Sequence, residues 1–458
     1  MTAAKQVADI LELLRSALEG MDFLLAKLDS GEEIPKELFL EIADLIPEVC
    51  GNILKAVDGA GFPAETHRLS EIYENITWYV ERTKESLNGD MAGLNALVVN
   101  HFHPFLRLFC AEVAFLFERS VDHADYPDFY PDALPVDREE IERLTQELPP
   151  IVSIVLLAYN KLDYTKLCVN SILNHTKDVD YELILVDNGS TDDTLAYFQS
   201  VPGATVIHIE KNLGVVKGFN MGMMVARGQY TAAVCNDFIF THRWLSNLLL
   251  CLKADQRNGY VSPGATNISN LQQINYKFTD EASFHAFAKE FNQSDPTKWE
   301  QRVVLLPNVL CCPTALLDRI GYYDTRYYYG EFGDDDISFR IRRAGYRLIY
   351  CGDTVTHHFG HVTTTVDHRM NNSLEKGRQQ FAARYGLDAW VDARMSAVST
   401  ALDYSRFGAV RSVLGIGARC GASLLHVRNS ILRQNGVAPT VAAYEADPKY
   451  GVDLKTVC

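Results

Sequence analysis

Several classes of protein are excluded by what this 458-residue chain does not have. Its ten cysteines are scattered, and the one adjacent pair, Cys311-Cys312, lacks metal-ligand spacing. Neither a disulfide framework nor a zinc site is indicated, and such usage suits a reducing compartment. Basic residues are in deficit: 43 Lys and Arg stand against 59 Asp and Glu, a formal net charge of −16. That balance argues against nucleic acid or an anionic membrane surface as main partner, while leaving room for a local basic pocket. Long apolar runs are also missing. The richest stretch, Leu94 to Phe117, is interrupted by His101, His103, Arg107 and Glu112, so no membrane span is expected. Met1 to Leu14 alternates charged and apolar residues without a signal-peptide core. No repeat period and no low-complexity segment is found. These absences predict a cytoplasmic protein, and a hydrophobic content of 47% suffices for two or three domains with a sizeable core.

What is present changes period at residue 151. Before it, Val7, Ile10, Leu11, Leu14, Leu18, Met21 and Leu25 form an apolar stripe at helical spacing, and similar stripes follow Pro35, Glu65 and Met91. Residues 1–124 therefore predict a helical bundle, a possible surface for a protein partner. Residues 125–150, with Pro127, Pro131, Pro135, Pro149 and Pro150, read as a linker. From Ile151 the runs Ile151–Leu157 and Glu182–Asp187 have strand length, and helical stretches follow each. That pattern predicts right-handed parallel units of an α/β domain over residues 151–365, with functional residues at the carboxyl ends of strands. A helical extension follows over 366–402, with an amphipathic helix from Ser373 to Tyr385. Residues 403–458 read as an incomplete Rossmann-like segment, a strand, glycine turn, helix and strand ending at Glu445.

The chemistry-bearing residues gather at the predicted strand ends. Ala158, Tyr159 and Asn160 close the first strand; Tyr159 is placed to stack on a base, and Asn160 either pins the turn or caps a helix. Asp187 and Asn188 close the second and offer an acceptor and a donor. Asn212 and Gly214, then Lys217 with Gly218, form a loop in which backbone can approach a ligand closely and a lysine can meet phosphate. Asn236 and Asp237 close a third strand, where a carboxylate is costly unless paired or metal-bound. Asp334, Asp335 and Asp336 open a helix whose positive end offsets their repulsion by roughly 0.3–1 kcal/mol for a well-placed charge. Asp336 can pair with Arg340 four residues on, leaving Asp334 or Asp335 for a pocket and for general-base work. His357 and His358, ending another strand, are metal-ligand candidates or structural histidines.

In these residues the chain resembles the family-2 glycosyltransferases of GT-A fold, in particular bacterial members that carry rhamnosyl or galactofuranosyl groups. The pieces are Ser153–Asn160, Val186–Asp192, Asn212-Leu-Gly214 with Gly218 and Asn220, Asn236-Asp237, Gly333–Arg340 and Val355-Thr-His357, within residues 150 to 390. The resemblance implies an inverting transfer of a hexosyl or deoxyhexosyl group from a nucleotide-diphosphate sugar to a glycan or protein hydroxyl, in polysaccharide biosynthesis. It implies that Tyr159, Asp187 and Asn188 contact the nucleoside, that Asp237 and His357 bind a divalent cation, Mn2+ or Mg2+, and that Asp334 is the catalytic base. Two places depart from the family pattern: Cys235 replaces the first acid of its DxD, and Gly333 the glutamate before the base. A non-catalytic nucleotide-sugar-binding scaffold is the alternative of a second class. A third is a methyltransferase fragment in the last segment, where Gly415 replaces an acid and Arg419 a glycine.

Overall fold

The computed structural model describes residues 36–59, 67–86, 151–327, 330–360, 372–407 and 410–458, with scattered positions between 12 and 27 and between 97 and 116. Of the amino-terminal stripe only Met21 is described; its other members and the linker 125–150 lie outside the described residues. The chain divides into two compact units. One comprises residues 1–149 with 223–227 and 317–326, and the other the remainder.

In the first unit, helices Lys36–Gly59 and Leu69–Ser86 follow the expected stripes. Phe39, Ala43, Ile46, Cys50, Ile53 and Val57 recur at three- and four-residue steps and are buried, as are Ile72, Ile76 and Val80 of the second helix. Arg68 is buried beside Glu112, its Nε donating to Oε2 at 3.1 Å, and it also donates to the carbonyls of Gly321 and Tyr323. A buried guanidinium is tolerated only with such a full set of acceptors. Among the described residues no helix is long and apolar enough to cross a membrane.

The second unit is built on one mixed sheet. Its strands are β1 Val152–Ala158, β2 Tyr181–Asn188, β3 Ala204–Ile209, β4 Tyr230–Cys235, β5 Phe238–Ile239, β6 Asn258–Ala265, β7 Trp299–Arg302, β8 Leu310–Pro313 and β9 Arg347–His358. They run in the order β3-β2-β1-β4-β8-β6-β9-β5, with β7 added on β9. β1 is buried along its whole length between helical layers and is apolar except for Ser153, whose buried hydroxyl accepts from Gly228 N at 2.8 Å. On one face Ile154 and Leu156 meet Cys168, Ile172, Phe198, Trp244 and Leu248. On the other, helix Val215–Met224 comes so close that a Cβ on Gly222 would stand 2.4 Å from Val155 Cγ1, so only glycine fits.

The parallel units expected from the sequence are present in β1 to β4. Beyond β4 the sheet is mixed: β8 runs antiparallel to β4, and β7 and β5 run antiparallel to β9. The chain passes from β1 outward through β2 to β3, then returns to place β4 on the other side of β1. The carboxyl ends of β1 and β4 thus frame a topological switch point, where open α/β sheets leave a crevice.

A separate pair of strands, β10 Ser412–Ile416 and β11 Thr440–Tyr444, runs parallel around helix Ala422–Asn435. Arg419, standing where the nucleotide-binding pattern has a glycine, has φ 49.

Candidate functional site

The loops after β1, β2, β3 and β4 are fastened to one another at the switch point. Asn160, with φ 57, receives the N–H of Thr191 on Oδ1 at 2.8 Å, while its own N–H donates to Ser190 Oγ at 2.8 Å. Its side chain therefore pins the neighbouring loop; the residue preceding helix Leu162–His175 is Lys161. Asn236 Nδ2 crosses from β4 to the Asn160 carbonyl at 3.2 Å and to Thr165 Oγ1 at 2.8 Å. Asp192 serves both neighbouring helices, accepting from Leu162 N at 3.1 Å and from Thr194 N at 3.1 Å.

Asn188 ties β2 to the next loop. Its Nδ2 donates to Asn212 Oδ1 and to the Gly214 carbonyl, each at 3.1 Å, and its Oδ1 accepts from Leu213 N at 3.0 Å. Gly218 lies against this amide and Leu157, where a Cβ would fall 2.6 Å from Leu157 Cδ1. Asp187 is wholly buried. One carboxylate oxygen accepts from Ser190 N at 3.1 Å and the other lies 2.8 Å from His208 Nδ1. The sequence reading missed His208, although the parallel register places it opposite Asp187. Ala158 is buried, Tyr159 and Lys217 are half-buried, and Asn212 is exposed at the loop edge.

Asp237 follows β4 and is met by a histidine of β9. The sequence reading put His357 beside it; the structure puts His358 there, with Nε2 3.2 Å from Asp237 Oδ2. Strand alternation decides this. Phe238 pairs with His358 and Ile239 with His357, so successive rings face opposite sides. His357 is turned inward, its Nδ1 2.6 Å from Thr266 Oγ1 and its ring stacked on Phe278 with centroids 3.8 Å apart. Burial, aided by the neighbouring His358, lowers its proton affinity to about 4.

His358 Nδ1 lies 2.9 Å from the Asn267 carbonyl, which can only accept, so this nitrogen carries a proton. Nε2 then faces a carboxylate oxygen. Two lone pairs would repel at that distance, so a proton or a cation belongs between them. Burial opposes charge on the ring, but the Asp237 hydrogen bond and charge outweigh it and raise the proton affinity. One carboxylate oxygen and one imidazole nitrogen fit a divalent cation that takes its other ligands from water and phosphate. Among the described residues no group of three or more His, Cys, Asp or Glu is arranged to hold a metal. Cys235 offers a soft thiol where a hard divalent cation prefers oxygen, and burial raises its pKa.

The acidic run divides its work. It opens helix Gly333–Arg343, entered through Phe332 at φ 63. Asp336 is fully buried and accepts from Arg340 Nε at 2.8 Å and from Tyr385 OH at 2.7 Å, with Arg384 Nε at 3.5 Å. Asp334 and Asp335 are half-buried in the first turn. Burial lifts Asp334 to about 6, and the charge of Glu331 adds to the rise. Burial and the charges of Asp334 and Asp336 hold Asp335 well above the usual carboxylate range. Glu331 itself accepts from Ser373 Oγ at 2.7 Å, linking the helix entry to helix Ser373–Tyr385.

Comparison with known proteins identifies a family. The model of the family described as glycosyl transferase family 2 matches residues 153–303. Glycosyltransferase GlyG of Streptococcus pneumoniae serotype 4 is 34% identical over 217 residues, 45% of this chain and 69% of that protein. The chain belongs to glycosyl transferase family 2, and its fold is the α/β GT-A fold with a helical amino-terminal region. An uncharacterized glycosyltransferase of Haemophilus influenzae is 30% identical over 117 residues, 25% of this chain and 35% of the relative, so the chain spans about a third of that protein's length. Mannosyltransferase PcManGT from Pyrobaculum calidifontis, solved in complex with GDP-Man and Mn2+, aligns with 75% of this chain and 86% of its own at 15% identity, with a TM-score of 0.38.

Proposed function

We propose that this chain transfers a hexosyl or deoxyhexosyl group from a nucleoside-diphosphate sugar to a hydroxyl of a glycan or protein acceptor, with inversion at the anomeric carbon. The observation that carries the proposal is the division of the acidic run. Asp336 takes the arginines and the tyrosine, while Asp334 sits half-buried at the helix start with its proton affinity lifted to about 6. A carboxylate of that strength is ionised near neutral pH and basic enough to accept a hydroxyl proton.

In this reading Tyr159, Asp187 and Asn188 border the nucleoside. Asn160 and Asn236 hold the surrounding loops, and the amides near Gly214 with Lys217 face phosphate. Asp237 Oδ2 and His358 Nε2 would hold a divalent cation, Mn2+ or Mg2+. Once bound, such a cation neutralises charge that grows on the departing diphosphate. Asp334 removes the acceptor hydroxyl proton as the oxygen forms its bond to the anomeric carbon. The bond from that carbon to the diphosphate oxygen breaks, and the nucleoside diphosphate leaves with the electron pair.

The test is acceptor-dependent release of nucleoside diphosphate, measured across a panel of UDP-, GDP- and dTDP-sugars with and without Mn2+. Asp334→Asn should lose turnover and keep donor binding by calorimetry; wild-type turnover in that variant would overturn the assignment.

A further inference from the structure

The segment after residue 410 takes no part in the chemistry just proposed, yet it grips two elements that lead into the site. Asp453, in the short helix Gly451–Leu454, is fully buried. Its carboxylate accepts from Arg343 twice, Nε to Oδ1 at 3.2 Å and Nη2 to Oδ2 at 2.8 Å. Arg342 Nη2 donates to the Asp453 carbonyl at 2.8 Å and to Thr456 Oγ1 at 2.9 Å. These two arginines end the helix whose first turn carries Asp334.

A second set of bonds reaches the sheet. Asn429 Nδ2 donates to the Gln301 carbonyl at 2.8 Å, Gln301 Nε2 donates to the Thr456 carbonyl at 3.1 Å, and Arg433 pairs with Glu300. Glu300 and Gln301 belong to β7, which is bonded along β9, the strand ending in His358. One small unit thus holds the acidic helix and the histidine strand together.

The glycine turn of this segment is occupied by its own chain. Glu445 Oε2 accepts the Arg419 N–H at 2.8 Å, and Oε1 accepts the Ala446 N–H at 3.0 Å. The acid that a nucleotide-binding unit would offer to a ribose is spent on closing the loop.

We infer that the carboxyl-terminal segment, the β-α-β unit together with the short helix Gly451–Leu454 that follows it, is a brace, and that Asp453 is a positioning residue that sets the Asp334 carboxylate through the intervening helix. The inference rests on the proposal that Asp334 is the base. A helix of 11 residues is a rod about 16 Å long, so a shift at its clamped end is passed to its start. Proton transfer tolerates displacements of only about 0.5 Å.

The experiment uses the full chain with Asp453→Asn, and Arg343→Lys as a second variant that keeps the charge but loses the paired geometry. Amide hydrogen exchange is followed in peptides covering residues 331–343 and 352–358. Exchange there should speed up at least tenfold, while peptides of β1 to β4 stay at the wild-type rate. With the nucleotide sugar that the wild type consumes, kcat should fall at least tenfold and donor KM stay within twofold. The acidic limb of the kcat–pH profile should move, because Asp334 takes its proton affinity from its burial and from Glu331 and Asp335. Unchanged exchange at 331–343, or a uniform rise across the sheet, overturns the brace. If Asp453→Asn does not fold, Arg343→Lys decides by the same two readouts. Failure of the base assignment is distinct: it would appear as wild-type turnover in Asp334→Asn.

Discussion

His358 Nε2 faces Asp237 Oδ2 at 3.2 Å, with the far nitrogen of the ring committed to the Asn267 carbonyl. If this pair holds the cation, His358→Ala should weaken Mn2+ binding by at least on the order of tenfold, as losses around metal sites do. His357→Ala should leave Mn2+ affinity within a few-fold and instead lower the unfolding free energy by about 1–3 kcal/mol, since it deletes a ring packed on Phe278. Calorimetric titration with Mn2+ and urea unfolding of both variants separate the two histidines.

Asp334 gives the pH dependence a definite direction. Burial, then Glu331, lifts it to about 6, and a general base works only when ionised. Turnover should therefore be level above that value and fall by about tenfold per pH unit as pH drops below it. A kcat profile flat from pH 7 down to pH 4.5 would remove Asp334 from the role.

Replacing Asp336 should act on stability. Its carboxylate is enclosed by Arg340, Arg384 and Tyr385, so Asp336→Asn leaves buried cations without their counter-charge. Breaking a buried pair on one side costs about 3–5 kcal/mol. The midpoint of urea unfolding should drop accordingly, together with the near-ultraviolet signal of Tyr385.

Gly218 sits where a side chain crowds two neighbours. A Cβ would stand 2.6 Å from Leu157 Cδ1 and 3.2 Å from Asn188 Nδ2, so Gly218→Ala must turn the leucine methyl aside and press on the amide that binds β2 to the following loop. Overpacking of this kind costs about 1–3 kcal/mol. Donor affinity in the Gly218→Ala variant should fall more than its melting temperature alone accounts for.

Much of this was legible in the residues. The strand-to-turn pieces at Asn160, Asn188 and Asp237 lie where the sheet topology leaves a crevice, because an apolar run that ends in polar residues marks its own carboxyl end. The pairing of Asp336 with Arg340 follows from helical spacing, and the bounds of helix Ser373–Tyr385 from its amphipathic pattern. What escaped depends on partners distant in the chain. β7 and β8 are four residues each, and Trp299-Glu-Gln-Arg302 shows no alternation that betrays a strand. Arg343 and Asp453 are separated by 110 positions, and nothing local to either announces the other. The choice between adjacent histidines was beyond pattern, since it turns on a register set several residues upstream.

That register has a consequence of its own. β9 pairs Cys351 with Pro263 and Val355 with Gly264, so residues 352–354 are looped out between consecutive partners on β6. Asp353, in the middle of that insertion, is buried and accepts from Asp295 N at 2.8 Å and from Trp299 Nε1 at 2.7 Å. The bulge is thereby moored to the entry of β7, and the stretch that carries both imidazoles starts from a fixed post. A change at position 353 would loosen that mooring while every side chain of the centre stays in the gene.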